Sequence, residues 1–122
     1  MSLVVHGTNG LTFNDASLQS SALQAASAWV AVKVTAGVPA IQDSFNISSV
    51  TDSGVGSITP NFATTMANAN YAIAVATDGA GAGGIPYGGA DTKTTSSFRL
   101  KTTNAGSFVD NAYSSATVFG GL

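Results

Sequence analysis

Residues 43–75, DSFNISSVTDSGVGSITPNFATTMANANYAIAV, spell strand, turn, strand, loop and strand with almost no charge. Phe45 and Ile47 stand two residues apart within a run of strand formers at 40–50, so they are expected on one face of a single strand. Asp52, Ser53 and Gly54 supply turn chemistry, a side-chain acceptor followed by a residue free of Cβ constraints. A second strand then covers 55–62. The third, 70–77, alternates Tyr71, Ile73 and Val75 with Ala72, Ala74 and Ala76. Period-two alternation sends the large set to a core and the small set to the opposite surface.

The same grammar extends outward in both directions. Strand signals cover 29–35, 94–102, 107–110 and 113–119, with Gly, Asn or Asp in nearly every gap. About seven short strands at this spacing predict an all-β fold, an antiparallel β-sandwich occupying residues 29–122. Phe98 and Leu100 alternate with Arg99 and Lys101, which predicts one core face and one basic face, read as a solvated edge strand blunted by charge. Residues 1–28 read as an N-terminal arm or neck, with short apolar runs at 3–6 and 11–13 around a Thr8-Asn9-Gly10 turn. Within 15–28 both helix and strand stay open. Leu18, Ala22, Ala25 or Ala26, and Trp29 fall at helical spacing behind a capping Asn14 or Asp15, but four serines interrupt them and a short isolated helix is marginal.

Composition bounds the function. At 122 residues the chain has room for one domain. Hydrophobic residues make up 44% and charged ones 8%, against about 25% in ordinary domains, and there is no Glu. A surface of Ser, Thr, Asn, Ala and Gly is weakly protected against association, so burial of much of it in an oligomer is expected. Net charge −2 with Lys33, Lys93, Arg99 and Lys101 as the only basic residues makes no phosphate-binding stripe, which speaks against nucleic acid. Zero cysteines exclude disulfides, thiolate metal sites and Cys nucleophiles. No stretch of about 20 apolar residues suggests membrane insertion, and no leader is recognisable. The expectation is a protein made in the cytoplasm and not independently exported.

Motifs with catalytic or ligand-binding meaning are sparse. Gly79, Gly81 and Gly84 fit the dinucleotide spacing after a strand, but Pro86, Tyr87 and another glycine pair follow where the helix would have to begin, so 78–93 reads as a Gly-rich hairpin loop. His6 is the lone histidine and sits in the arm, which leaves no base for a catalytic triad. Asp15, Asp43, Asp52, Asp78, Asp91 and Asp110 fall mostly at turns, where such side chains bond local backbone; neither a glycosidase pair nor a calcium-loop spacing is signalled. No enzyme, metal or other cofactor is expected. Asn46-Ile47-Ser48 fits a glycosylation acceptor but lies inside a predicted strand. Trp29 fits a sugar platform or a core or subunit-interface position, and the structural role is the default.

The run Ser44, Phe45, Asn46, Ile47, Ser48, Ser49, Val50, Thr51, Asp52, Gly54, Gly56, followed by Ala69, Asn70 and Tyr71, resembles the distal domain of bacteriophage tail-fibre and related virion appendage proteins. The likeness extends to Gly10, Leu11, Thr12, Phe13, Asp15, Gln19 and Ser20 upstream and to Val118, Phe119 and Gly120 at the end, so it spans nearly the whole chain. In longer fibres the upstream phrase follows a shaft; here it opens the chain, and a separate attachment domain is expected to be missing. The resemblance implies a jelly-roll-like sandwich, a homotrimer, location in the virion, and a short fibre or knob that contacts other virion proteins and a host-surface polysaccharide. A capsid decoration protein is the alternative and a polysaccharide depolymerase a weaker one. Leu11, Phe13, Leu18 and Trp29 are the expected oligomer contacts. Ile85, Pro86, Tyr87, Asp91 and Lys93, in the longest loop, are the expected receptor-binding residues.

Overall fold

A computed structural model describes residues 4–6, 10–12, 18–19, 26–78, 86–104 and 106–122. The arm contributes β1 (Val4–His6), β2 (Gly10–Thr12) and β3 (Leu18–Gln19), paired antiparallel in that order. Leu18 and Gln19 are thus in a strand, and no helix occurs among the described residues.

The rest is built from two antiparallel sheets. Sheet I holds β4 (Ala28–Thr35), β5 (Val38–Phe45), β8 (Ala72–Thr77) and β12 (Tyr113–Phe119) in the order β5-β4-β12-β8. Sheet II holds β6 (Ile47–Asp52), β7 (Ser57–Phe62), β9 (Pro86–Asp91), β10 (Arg99–Asn104) and β11 (Ser107–Phe108). Its order is β11-β10-β7-β6, with β9 paired along the other side of β10. Alternation decides which face of each strand is buried. Ala28, Val30 and Val32 of β4 and Ala116 and Val118 of β12 meet Ile58 and Phe62 of β7 and Leu100 of β10 in one core. Phe62, Tyr71 and Phe98 fill its centre, with Phe62 edge-on to Tyr71 at 5.5 Å. Each such buried side chain contributes about 1.5–3 kcal/mol relative to an exposed one. Ser27, whose N–H and Oγ–H donate to the carbonyls of Val118 and Gly120 at 2.7 Å, fastens the start of the sandwich to its end.

Three expectations need correction. The single strand over 40–50 is two strands in different sheets. Asn46 breaks it with φ 55°, so Phe45 is 54% exposed while Ile47 is buried at 8%, and the two do not share a face. Asn tolerates that conformation better than most residues, and its side chain secures the crossing: Oδ1 accepts from the Thr64 N–H at 2.7 Å, and Nδ2 donates to the carbonyls of Ser27 and Thr64.

The predicted loop 78–93 contains a full strand, β9, against β10. Its glycines hid it. A Cβ on Gly88 would lie 2.7 Å from Val75 Cγ1, so the close approach of β9 to β8 demands glycine there. Gly79, Gly81, Gly84 and Ile85 lie outside the described residues.

The basic strand is internal rather than an edge, since β10 has β7 and β11 on one side and β9 on the other. It also begins later than expected, because Thr94 to Ser97 form a turn in which Thr94 Oγ1 accepts from the backbone N–H groups of Ser96 and Ser97.

Candidate functional site

The two outer faces of the sandwich differ in chemistry. On sheet II, cross-strand register places Thr51, Thr59, Arg99 and Asp91 in one row and Ser57, Lys101 and Gly89 in the next; Phe108, Thr103 and Tyr87 form a third. This face is polar and internally bonded: Asn61 Nδ2 donates to Ser49 Oγ at 3.1 Å and Thr51 Oγ1 at 3.0 Å, and Ser53 and Thr59 hydroxyls meet at 2.7 Å.

Its charged centre is a triad. Asp91 accepts two hydrogen bonds from Arg99, Nε and Nη2 each at 2.7 Å, and a third contact from Lys101 Nζ at 2.6 Å. The hydrogen bonds from Arg99, then Lys101, hold its carboxyl well below the usual carboxylate range, and the same pairing pushes the Arg99 guanidinium up. Two cations share one anion, so the triad carries a net +1. Beside it is a depression of about 160 Å³ lined by Ser53, Val55, Ser57, Arg99, Lys101 and Phe108.

Sheet I presents an outer face rich in exposed aromatic and alanine side chains, with Asp43 and Lys33 among them. Phe45, Trp29, Thr117 and Ala74 lie in one row, Asp43, Ala31, Ser115 and Ala76 in the next, and Lys33 beside Tyr113 follows. Val38, Phe45, Tyr113 and Phe119 are large and exposed there. Between the aromatic row and Tyr113, the small side chains of Ala31, Ala76 and Ser115 floor a shallow depression of about 290 Å³ whose rim includes Gln42, Asp78 and Tyr113. Lys33 Nζ stands over the Tyr113 ring at 5.6 Å, a cation–π placement that keeps the amine close to the sheet.

Of the residues expected to bind a receptor, Pro86, Tyr87 and Asp91 belong to β9, and Tyr87 and Asp91 stand on the outer face of sheet II. Tyr87 is 67% exposed. Lys93 is drawn away from them: its Nζ donates to the Tyr71 carbonyl at 2.9 Å and lies 5.4 Å from that ring, a structural tie to the core. Ile85 lies outside the described residues. Among the expected oligomer contacts, Trp29 sits half-buried on the outer face of sheet I, Leu11 and Leu18 are in β2 and β3, and Phe13 lies outside the described residues. Phe108 and Val55 on one face, and Val38, Tyr113 and Phe119 on the other, were not singled out from sequence. Alternation in 113–119 carried part of the signal, but which strand flanks which did not appear in it.

No family model, curated protein or solved structure matches this chain. Among the described residues no group of three His, Cys, Asp or Glu side chains converges as a metal site, and no helix is long and apolar enough to cross a membrane. Among the described residues, the aspartates outside the triad serve the backbone, Asp43 accepting from the Ser44 N–H at 2.9 Å. Asp52 accepts from Gly54 N–H at 3.0 Å, Asp78 from Tyr113 N–H at 3.0 Å, and Asp110 from Gly56 N–H at 2.7 Å across 54 residues.

Proposed function

We propose that this chain is a virion structural subunit of a bacteriophage that assembles as a homotrimer through the outer face of sheet I and turns the polar face of sheet II outward for attachment to a host surface. The observation that carries the reading is the inequality of the two faces. A monomer would hold Phe45, Trp29, Tyr113 and Phe119 in water around an alanine floor, whereas the opposite face is covered by hydroxyls, amides and an ion triad. Four strands about 4.8 Å apart and some 20 Å long make a face of roughly 400 Å² in projection, about half of one partner's share of a standard interface. The arm, with Leu11 and Leu18, is the natural source of the remainder. The trimeric count and the jelly-roll-like wrapping come from the resemblance of residues 44–56 and 69–71 to phage fibre domains. With little charge on the chain, assembly rests on apolar burial rather than on ion pairs.

Light scattering on the purified protein tests the assembly, and three times the chain mass is expected at micromolar concentration. Ala74→Glu, which places a carboxylate in the outer face of sheet I without touching the core, should give a folded monomer of unchanged circular dichroism. A monomeric wild type, or a trimer indifferent to Ala74→Glu, refutes the assembly reading. Immunolabelled particles address the task itself: label at tail tips supports attachment, and label over the head replaces it with capsid decoration.

A further inference from the structure

We propose that the depression on the outer face of sheet II binds a sugar bearing a carboxylate, a hexuronate unit of an acidic polysaccharide. The inference deepens the attachment reading given above, but the site is complete within one chain.

The charge balance comes first. The chain has four basic residues. Lys33 lies over Tyr113, and Lys93 is committed to the Tyr71 carbonyl. The other two, Arg99 and Lys101, line the depression with a single acid between them. A protein of net charge −2 thus gathers a surplus positive charge at one place on its polar face.

Donor geometry follows. Asp91 fixes both cations side by side in a sheet and takes two of the five guanidinium N–H groups of Arg99 and one of the three ammonium N–H groups of Lys101. The remaining donors suit one further carboxylate. Held by the sheet rather than by a loop, they lose little freedom when a ligand arrives.

Shape and apolar contact select the rest of the ligand. Phe108 is 55% exposed and walls the depression with Val55. Tyr87 leans over Gly89, whose Cβ would lie 3.5 Å from the ring, and Gly89 pairs with Lys101. Aromatic faces with hydroxyls of Ser53 and Ser57 nearby match the C–H face and the hydroxyls of a pyranose. About 160 Å³ is well under the ~300–1,000 Å³ of drug-sized pockets, so one ring is accommodated and its neighbours run over the surface. A free phosphate group, doubly charged and without an apolar face, matches neither the single surplus charge nor the Phe108 wall.

The test is calorimetric titration of the intact wild-type protein with oligosaccharides of glucuronate, galacturonate and mannuronate, each beside its neutral hexose counterpart. Saturable binding to at least one hexuronate and none to its neutral counterpart is expected, weakening as salt is raised from 20 to 200 mM. Lys101→Gln, which leaves Arg99 and Asp91 balanced, should reduce affinity at least tenfold, and Phe108→Ser at least threefold, with melting temperatures near that of wild type. Failure of all three hexuronates, equal binding of a neutral hexose, or wild-type affinity in Lys101→Gln overturns the proposal. The mass of the same samples separates the outcomes, since a trimer that ignores hexuronates leaves the assembly reading standing, and a monomer that binds them leaves the groove standing.

Discussion

Tyr71→Phe tests the phenol hydroxyl among the aromatic rings of the core. Tyr71 is 1% exposed, and its O–H lies 2.8 Å from the Thr94 carbonyl and 3.0 Å from that of Ser97. One hydrogen serves two acceptors. Ser97 O also receives the Thr94 N–H at 2.8 Å and the Thr94 hydroxyl at 3.1 Å, so Thr94 O is the acceptor that depends most on Tyr71. Phenylalanine keeps the edge-on packing against Phe62 and the ring beneath Lys93 Nζ, and it removes only the donor. The loss of this part-buried hydrogen bond, whose acceptor belongs to the exposed Thr94, costs about 0.5–1.5 kcal/mol. For a chain of this size that lowers the melting temperature by roughly 2–6 °C, read by calorimetry at equal protomer concentration. A second signature comes from pH. Burial raises the Tyr71 ionisation above its ordinary value. A raised folded value means stability that is complete below about pH 10 and lost as pH rises through the folded value. Wild type carries this alkaline loss and Tyr71→Phe does not, so the gap between them should narrow between pH 9 and 11. A melting temperature within about 1 °C of wild type at pH 7, or a gap constant up to pH 11, refutes the reasoning.

Asn46→Ala should lower stability by about 2 kcal/mol in urea titration, because it loses the acceptor for the Thr64 N–H and places a Cβ residue without a local bond at φ 55°; Asn46→Gly should recover the strain but not the bonds. Asp91, whose folded value is depressed by Arg99 and Lys101, contributes stability that is present above about pH 4 and fades as pH falls well below it. Its side chain is 34% exposed, so solvent screening limits that contribution to about 1 kcal/mol at most, and a midpoint difference between wild type and Asp91→Asn should be visible at pH 7 and vanish towards pH 2.

Strand alternation was legible where it was local. Residues 70–77 do send Ile73 and Val75 towards the core and Ala72, Ala74 and Ala76 outward, and 98–101 do bury Phe98 and Leu100 beneath an outward Arg99 and Lys101. The turn at Asp52 to Gly54 follows from residue chemistry alone, as the Asp52 carboxylate takes the Gly54 N–H. Each of these needs only the period of a strand and the preference of a side chain for its own backbone. What the sequence could not supply is which strands become neighbours. PYGGAD looked like loop because glycine is read as flexibility, and only the 2.7 Å that a Gly88 Cβ would leave to Val75 shows it to be close packing. Asn46 looked like one residue of a long strand, and only its bonds to Ser27 and Thr64 make it the crossing between sheets. The triad joins Asp91 to Arg99 and Lys101 through antiparallel register, and Phe108 comes to the same depression from a hairpin beyond β10. Local alternation therefore determined that this chain is all-β and which side chains it buries within an unbroken strand, but not across the break at Asn46, where Phe45 turns outward. Long-range pairing, whose partners carry no mark in the sequence, decided that Phe45, Trp29, Tyr113 and Phe119 gather on one outer face and that Asp91, Arg99 and Lys101 meet on the other.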